Sequence, residues 1–285
     1  MNQLIEIDHL IRMALAEDIR SGDLTTCATV PADARATGAL RTRDSGVVAG
    51  LDVARRVFAL LDPEIHFQAR VRDGDPVKRG DVLATVSGPA RPILSGERVA
   101  LNFLRHLSGI ATRTRRLKDL TAPHPVRLVD TRKTTPGLRT LEKYAVCVGG
   151  GHNHRFGLDD GILIKDNHIA MAGGIAAAVR AARNVAPHTL KVEVEVEDLA
   201  GVREALEAGA DIILLDNMPP GLLREAVRMV DKRVPLEASG NIGEHNIAEI
   251  ARTGVDIISV GRLTHSVPVL DIGLDLESSA TQSPG

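Results

Sequence analysis

The amino-acid sequence predicts an α/β protein: an N-terminal α+β domain, residues 1–110, followed by an incomplete, six-stranded (β/α) barrel over residues 111–266. Two observations predict this class. Up to about residue 110, short strand-like and helical patterns are mixed, and after residue 120 six short apolar runs alternate with helical segments. Each intervening helix is long enough to return the chain to the next parallel strand.

The composition is typical of a globular protein and argues against a nucleic-acid partner. Of 285 residues, 44% are hydrophobic and 25% are charged, and the formal net charge is −2. No overall basic field therefore exists to attract nucleic acid. With four Phe, one Tyr and no Trp, the chain also lacks the aromatic residues needed to stack against single-stranded bases.

The sequence carries no pattern of membrane insertion or secretion. Residues 1–18 include four acidic residues and no basic segment followed by an apolar stretch. The longest apolar runs are far shorter than the roughly 20 residues that span a bilayer. Two cysteines are too few for a disulfide framework or a four-ligand zinc site. We therefore expect a cytoplasmic protein without a membrane partner.

The first domain contains predicted helices at residues 8–17 and 53–61 and predicted strands at 37–41 and 46–49. Residues 72–86 have the alternation of turns and strands seen in lipoyl and biotinyl domains, but they lack the Met-Lys-Met hairpin that receives those cofactors. We interpret this run as a small packing sheet. A lipoyl-like binding module is the alternative, and mass spectrometry would then detect the adduct.

Residues 95–120 form a long helical pattern. Ala100, Leu104 and Leu107 recur at three- and four-residue steps on one face, which predicts that this face is buried. Arg98 shares the opposite face with Asn102. An exposed helix arginine is most often a solvated charge, so the pattern alone gives Arg98 no role.

The barrel strands are predicted at residues 126–130, 162–164, 192–196, 212–215, 236–238 and 257–260, and the helices between them at 138–146, 175–185, 198–208, 221–230 and 243–251. A flat, doubly wound parallel sheet fits this pattern nearly as well as a curled one. The C-terminal segment, residues 267–285, is expected to pack back on the first domain, with 278–285 as a frayed tail.

Each predicted strand is followed by polar, charged or glycine residues. In a (β/α) barrel the loops after the strands converge on one mouth, where the chemistry takes place. One such residue would be ordinary turn chemistry, but six strand ends in succession predict a site. In strand order these residues are Thr131, Arg132 and Lys133; residues 165–168; Glu195; Asp216 and Asn217; Ser239, Gly240 and Asn241; and Gly261.

The local charge predicts an anionic substrate. Residues 127–165 contain seven basic and four acidic residues, a net +3 in a chain of net −2, and His152 and His154 add hydrogen-bond donors. Arginine binds a carboxylate through two parallel hydrogen bonds, whereas the lysine ammonium suits phosphate, so we expect both groups on the substrate. We do not interpret the two histidines as a metal pair, because no third ligand is evident.

The remaining strand ends suggest a phosphate and a cation. The small residues Ser239, Gly240, Asn241 and Gly261 follow the last two strands, where barrels commonly bind phosphate through backbone N–H groups. Glu195 and Asp216 could hold Mg²⁺ with a diphosphate, bind sugar hydroxyls or stabilise a developing positive charge. Neither a P-loop nor a Rossmann fingerprint is present.

Four motifs together identify a family. They are Asp-Thr-Arg-Lys-Thr at 130–134, Gly-Gly-Gly-His-Asn-His-Arg at 149–155, Leu-Ile-Lys-Asp-Asn-His at 163–168 and Ser-Val-Gly at 259–261. The chain resembles quinolinate phosphoribosyltransferases over nearly its whole length. The resemblance implies transfer of phosphoribosyl from phosphoribosyl pyrophosphate to quinolinate, with loss of CO₂, to give nicotinate mononucleotide and pyrophosphate in NAD synthesis.

The resemblance also implies roles for individual residues. Lys133, Lys165, Glu195 and Asp216 would be catalytic, with Glu195 and Asp216 facing the ribose and Mg²⁺ and the two lysines facing the diphosphate. The 5′-phosphate would bind at Ser239, Gly240, Asn241 and Gly261. The quinolinate carboxylates would bind Arg132, His154, Arg155 and Lys165, together with Arg98 from the neighbouring subunit of a homodimer.

Two other enzyme classes remain open from the residues. A phosphoribosyltransferase for nicotinate, or the family's molybdenum-transport-associated branch, would need fewer cations for its carboxylates. A Schiff-base aldolase would use Lys165 as its nucleophile, and borohydride trapping with a carbonyl substrate would detect it.

Overall fold

A computed structural model describes residues 2–278 of the chain, which fold as two compact units. Unit 1 comprises the chain up to Arg113, Pro136–Gly149 and the chain from Val267 onwards, and unit 2 comprises Thr114–Thr135 and Gly150–Ser266. The helices and strands are numbered in chain order. The predicted tail beyond Ser278 lies outside the described residues.

The ten helices of the described chain are α1 (Asn2–Ile19), α2 (Leu24–Thr29), α3 (Leu51–Leu61), α4 (Ala90–Thr121), α5 (Arg139–Val148), α6 (Asp166–Ala172), α7 (Ile175–Val185), α8 (Leu199–Glu207), α9 (Pro220–Val230) and α10 (Ile247–Ala251). The strands are β1 (Arg35–Thr42), β2 (Gly46–Val47), β3 (His66–Ala69), β4 (Pro76–Val77), β5 (Val82–Pro89), β6 (Arg127–Val129), β7 (Ile162–Ile164), β8 (Val192–Val196), β9 (Ile212–Asp216), β10 (Leu236–Ser239), β11 (Ile257–Ser259) and β12 (Ile272–Ser278).

Unit 1 contains a four-stranded antiparallel sheet in the order β12-β1-β5-β3, and β2 pairs separately with β4. Successive residues of β1 alternate between exposed and buried, as expected for a strand with one face on the core. The C-terminal strand β12 runs along β1, from Ala36 opposite Ser278 to Thr42 opposite Ile272. Residues 72–86 supply β4 and the start of β5, so they belong to these sheets.

The long helix α4 begins at Ala90, five residues before the predicted start. Its apolar stripe is buried as the periodicity indicated: Ala100, Leu104 and Leu107 are 0–1% exposed. Among the described residues, no helix combines the length and apolar character needed to cross a bilayer.

Helix α5 groups with unit 1, although the predicted domain boundary placed residues 136–149 in the second domain. Two side chains explain this grouping. The fully buried Glu142 accepts a hydrogen bond from His106 of α4 at 2.8 Å, and the Tyr144 hydroxyl donates to Asp73 at 2.7 Å. Both partners lie in unit 1.

Unit 2 is built on a six-stranded parallel sheet in the order β6-β11-β10-β9-β8-β7. The prediction of six parallel strands after an α+β domain is confirmed. The doubly wound alternative is wrong, because such a sheet reverses its strand order in the middle, whereas here the first strand pairs with the last and the others follow in sequence. The sheet is therefore cyclic in order and open between β6 and β7.

The opening is bordered by the loop over residues 150–161. His152 forms a parallel bridge with Val129, accepting from the Asp130 N–H at 3.2 Å and donating its own N–H to Leu128 at 2.9 Å. The loop thus extends the hydrogen bonding of β6 for one residue. It places His154 and Arg155 at the carboxyl end of the sheet.

Candidate active site

A cavity of about 480 Å³ opens at the carboxyl ends of the unit 2 strands. Ten of the twelve predicted site residues line it: Arg132, Lys133, His154, Arg155, Lys165, Glu195, Asp216, Ser239, Gly240 and Asn241. Six further residues line the cavity: Thr131 and Asn217, which belong to the predicted strand ends, and Leu163, Leu214, Glu237 and Ser259, which do not. Strand ends separated by up to 128 residues of sequence therefore meet in one place.

Arg98 and Gly261 do not line this cavity. Arg98 lies on α4 in unit 1, with 55% of its side chain exposed and a guanidinium nitrogen 4.0 Å from the Glu97 carboxylate. Gly261 begins a short 3₁₀ helix, Gly261–Leu263, where an added Cβ would lie 3.1 Å from Cδ of Lys133. The small residue at 261 thus leaves room for the lysine stem.

Two hydrogen bonds hold the backbone of Lys133. Its N–H donates to the Thr131 hydroxyl at 3.1 Å, and its carbonyl accepts from the Thr264 hydroxyl at 2.8 Å. These contacts fix the residue after β6 while its side chain stays exposed. A fixed backbone with an exposed ammonium is suited to binding an anion that enters the cavity.

Arg155 is a half-buried cation of the site. Its Nη1 donates to the Gly161 carbonyl at 3.0 Å. Burial lowers the pKa of the Arg155 guanidinium, and the nearby charge of Arg132 lowers it further. An arginine still remains protonated in such a site, so the two guanidiniums concentrate positive charge that a carboxylate can neutralise.

Lys165 and Glu195 face each other across β7 and β8 as an ion pair, with Nζ against Oε2. Lys165 caps α6, and its backbone N–H donates to the His168 ring at 3.0 Å. The lysine and the carboxylate therefore present opposite charges to one part of the cavity. A substrate with a phosphate beside a sugar meets both kinds of group there.

Asparagine and glycine residues shape the cavity wall after β9 and β10. Asn217 donates from Nδ2 to Asp216 at 2.7 Å and accepts from Asn241 Nδ2 at 3.1 Å. Asn217 and Asn241 both have left-handed backbones, with φ of 53° and 49°, and Gly240 has φ of 94°. A Cβ on Gly240 would lie 2.2 Å from the Asn217 side-chain oxygen, so only glycine fits.

Two buried carboxylates, Glu193 and Glu237, were missed by the sequence reasoning. The His154 Nε2 lies 3.2 Å from Oε2 of Glu193 and 3.6 Å from Oε2 of Glu237. The pKa of Glu237 is raised to about 7, mainly by burial and also by the neighbouring Glu193 charge, while His154 opposes the shift. The alternation of β-strands could have revealed both residues, because Glu193 and Glu237 share strand faces with Glu195 and Ser239.

The side chains that line the cavity carry a positive net charge. Four cations, Arg132, Lys133, Arg155 and Lys165, oppose three carboxylates, Glu195, Asp216 and Glu237, for a formal net charge of +1 with His154 neutral. Two other basic residues in the predicted cluster, Arg139 and Lys143, instead lie on α5 in unit 1. The arrangement can bind a polyanion and place carboxylates beside an electron-poor centre.

Comparisons with known proteins match both domains of the chain to one family. Family models described as the N-terminal and C-terminal domains of quinolinate phosphoribosyl transferase match residues 23–108 and 110–275. The chain is 48% identical to the carboxylating nicotinate-nucleotide pyrophosphorylase of Mycobacterium leprae, over 93% of this chain and 95% of that protein. It is 39% identical to the mitochondrial decarboxylating quinolinate phosphoribosyltransferase 2a of Nicotiana tabacum, over 98% and 85%.

A solved structure shows the same fold. The nicotinate-nucleotide pyrophosphorylase from Francisella tularensis superposes with a TM-score of 0.92 at 42% identity, covering 95% of this chain and 96% of that one.

Proposed function

The chain belongs to the quinolinate phosphoribosyltransferase family, and from this we propose that its cavity transfers phosphoribosyl from phosphoribosyl pyrophosphate to the ring nitrogen of quinolinate. The products are nicotinate mononucleotide, pyrophosphate and CO₂. This is the reaction of a carboxylating nicotinate-nucleotide pyrophosphorylase, which supplies NAD biosynthesis. The family matches confirm the family that the four sequence motifs indicated.

The observation that carries the proposal is one cavity in which four cationic side chains meet two strand-end carboxylates, Glu195 and Asp216. Quinolinate brings two carboxylates and phosphoribosyl pyrophosphate brings three phosphates, so the cations match both substrates. Arg132 and Arg155 suit the adjacent carboxylates of quinolinate, because guanidiniums bind carboxylates through paired hydrogen bonds. A nicotinate-specific site would need fewer such groups.

The sugar phosphate fits the part of the cavity wall that follows β10. Ser239 ends β10, and Gly240 and Asn241 follow it with little side-chain bulk, so their backbone N–H groups can approach a 5′-phosphate. The resemblance adds Gly261 from the next strand end, although this residue does not line the cavity. Asn217 holds this loop through its contact with Asn241. Phosphate recognition after the last two strands is the common arrangement in (β/α) barrels.

Transfer begins as the bond between the anomeric carbon and pyrophosphate breaks. Positive charge then develops on the sugar, and Glu195 and Asp216 stabilise it because both carboxylates line the same cavity. Lys133 and Lys165 stabilise the negative charge of the leaving pyrophosphate. Most of the protein's contribution is positioning and charge stabilisation.

The pyridine nitrogen of quinolinate forms the new bond to the anomeric carbon. The resulting pyridinium withdraws electrons from the adjacent carbon, so the C–CO₂ bond can break with its electron pair left on that carbon. A proton then replaces the lost carboxylate. Arg132 and Arg155 keep the ring oriented through both steps.

Magnesium is part of the proposal. Glu195 and Asp216 fit Mg²⁺, since carboxylate oxygens are its preferred protein ligands and it usually binds through one or two of them together with substrate phosphates. When bound, Mg²⁺ supplies charge neutralisation on the diphosphate. The two carboxylates would hold the metal and would also face the ribose.

A homodimer in the cytoplasm completes the proposal. The exposed guanidinium of Arg98 on α4 is available to a second copy of the chain, and the resemblance assigns it to the partner's quinolinate site. Arg98 would add a fifth cation for the two carboxylates.

The test is release of ¹⁴CO₂ from quinolinate labelled in its 2-carboxylate. We expect release only when phosphoribosyl pyrophosphate and Mg²⁺ are both present, with no reaction of nicotinate in a parallel assay. Consumption of nicotinate instead of quinolinate would contradict the proposal. Release without phosphoribosyl pyrophosphate would also contradict it.

Two variants test whether Arg155 binds the carboxylates of quinolinate. Arg155→Ala should raise the KM for quinolinate about 30-fold or more, corresponding to roughly 2 kcal/mol for a half-buried charge pair. Arg224→Ala, which removes an exposed arginine of α9, is the matched control and should leave both KM values unchanged. An equal response of the two variants would show that Arg155 does not bind quinolinate.

A further inference from the structure

His154 connects the loop at the open side of the barrel with carboxylates on the far strands. Its backbone N–H donates to the fully buried Asp130 carboxylate at 2.9 Å. Its ring reaches Glu193 on β8 and Glu237 on β10, which are separated by β9. Glu193 and Glu237 are only 5% and 2% exposed, so both contacts are shielded from water.

The hydrogen bonds of the ring define its tautomer. The backbone N–H of Arg155 donates to Nδ1 of His154 at 2.7 Å, and a backbone amide can only donate. Nδ1 therefore carries a lone pair, and the ring proton is on Nε2, the atom that faces Glu193 and Glu237. Both ring nitrogens thus have partners within the protein.

The same proton argues against a metal ion among these three side chains. Their ligand atoms lie within 4.8 Å of one another, close enough for a three-ligand metal site. A metal ligand needs the Nε2 lone pair, however, and here Nε2 carries the proton. The cluster is better explained as two buried carboxylates that support the ring.

We propose that Glu193 and Glu237 are positioning residues that hold His154, and through it Arg155, in place for quinolinate. The inference rests on the proposed function. His154 then acts by orienting its neighbour, which differs from the direct carboxylate contact that the family resemblance implies. The Nε2 of His154 lies 3.2 Å from the Glu193 carboxylate and 3.6 Å from the Glu237 carboxylate, and Nδ1 accepts the N–H of the arginine that binds the substrate.

Arg155 is fixed at both of its ends. Its backbone N–H is held by the His154 ring, and its guanidinium donates to the Gly161 carbonyl at 3.0 Å. Loss of the carboxylate support would release the first of these contacts. The phosphate loop at 239–241 is held separately by Asn217 and Asn246, so quinolinate binding should suffer far more than phosphoribosyl pyrophosphate binding.

The kinetic test compares Glu193→Leu with Glu193→Gln. The leucine variant keeps the side-chain volume but removes the acceptor, and we expect its KM for quinolinate to rise at least 10-fold while the KM for phosphoribosyl pyrophosphate changes less than twofold. Glutamine retains an oxygen for Nε2–H and should restore the KM for quinolinate to within threefold. Glu225→Leu and Glu225→Gln on the exposed face of α9 are the matched controls.

Several results of this comparison would contradict the proposed positioning role or the proposed function. Equal rises in both KM values, or failure of glutamine to restore quinolinate binding, would assign Glu193 a general structural role and overturn the inference. Kinetics like those of the Glu225 variants would overturn it as well. If the unaltered chain released no CO₂ from quinolinate, the proposed function itself would fail.

A second measurement uses the unaltered chain and does not depend on a variant's folding or on catalysis. Nitrogen-15 NMR of the histidine rings, with His154 assigned by its loss in His154→Asn, should show Nε2 protonated and Nδ1 unprotonated at neutral pH. Protonation at Nδ1 would overturn the inference. So would one equivalent of a transition metal that is lost in Glu193→Gln.

Discussion

At Gly240 the absence of a side chain determines the shape of the phosphate loop. The residue has φ of 94°, and an added Cβ would meet Asn217 at 2.2 Å for its side-chain oxygen and 2.9 Å for its backbone nitrogen. Neither a left-handed backbone nor so close an approach suits any residue with a Cβ.

We therefore expect Gly240→Ala to displace Asn217 and to raise the KM for phosphoribosyl pyrophosphate at least 10-fold. The free energy of unfolding should fall by about 1–3 kcal/mol. Gly221→Ala in α9 is the control, because a Cβ there would meet no atom within 4 Å. Steady-state kinetics and urea denaturation measure both quantities. Unchanged kinetics in Gly240→Ala would contradict the assignment of this loop to the phosphate.

Glu237 makes the stability of the protein depend on pH. Burial raises its pKa to about 7, and the groups that face it are Glu193 and Glu195 on β8 and the ring of His154. The folded state then binds a proton that the unfolded state, with a glutamate pKa of about 4.3, releases. This contribution to stability is present below about pH 4.3 and is lost as the pH rises through about 7.

Glu237→Gln should abolish the loss of stability that the ionisation of Glu237 causes as the pH rises. Relative to the unaltered chain, its free energy of unfolding should increase between pH 5 and pH 8, by up to roughly 3 kcal/mol. Urea denaturation at several pH values measures the difference, with Glu225→Gln as the exposed control. A constant difference across this range would show that Glu237 is ionised throughout.

At the scale of single elements, the start of α3 depends on one side chain from a distant turn. Asp73 accepts from the N–H groups of Gly50 and Leu51 at 2.7 and 3.1 Å and from the Tyr144 hydroxyl at 2.7 Å. It thereby caps the helix N-terminus and contacts α5. Burial and Asp73 raise the pKa of Tyr144 well above its usual range, so the phenol stays a donor at neutral pH.

Asp73→Ala should lower the free energy of unfolding by about 1–2 kcal/mol, because it removes a helix cap and its charge at the N-terminus. Tyr144→Phe removes only one of the three hydrogen bonds and should lower it by about 1 kcal/mol. Thermal and urea denaturation measure both changes, with Asp33→Ala, an exposed loop aspartate, as the control. A Tyr144→Phe effect larger than that of Asp73→Ala would contradict the capping role.

At the scale of the whole molecule, the function of Arg98 depends on a second copy of the chain. We expect Arg98→Ala and Arg155→Ala to be impaired individually. Coexpressed, they should recover about one quarter of the unaltered activity, since half of randomly formed dimers are mixed and one of the two sites in each is intact. Activity no greater than the average of the two separate variants would exclude a shared site.

The sheets of the two units differ in how well they can be predicted from the sequence. The antiparallel sheet of unit 1 includes β12, whose pairing with β1 joins residues at least 230 positions apart. The parallel sheet of unit 2 follows a regular alternation that the sequence shows directly. Helix α5 is the exception, since it follows β6 in sequence but packs with Asp73 and His106.

The amino-acid sequence was sufficient to predict the α/β class, the six parallel strands, the family and the strand-end residues that meet in the cavity. Hydrophobic periodicity and turn residues are local, and they record which face of each element is buried. The folded structure was needed to locate the opening between β6 and β7, the grouping of α5 and the contact of His154 with Glu193 and Glu237. These features join residues far apart in the chain, so no local pattern specifies them.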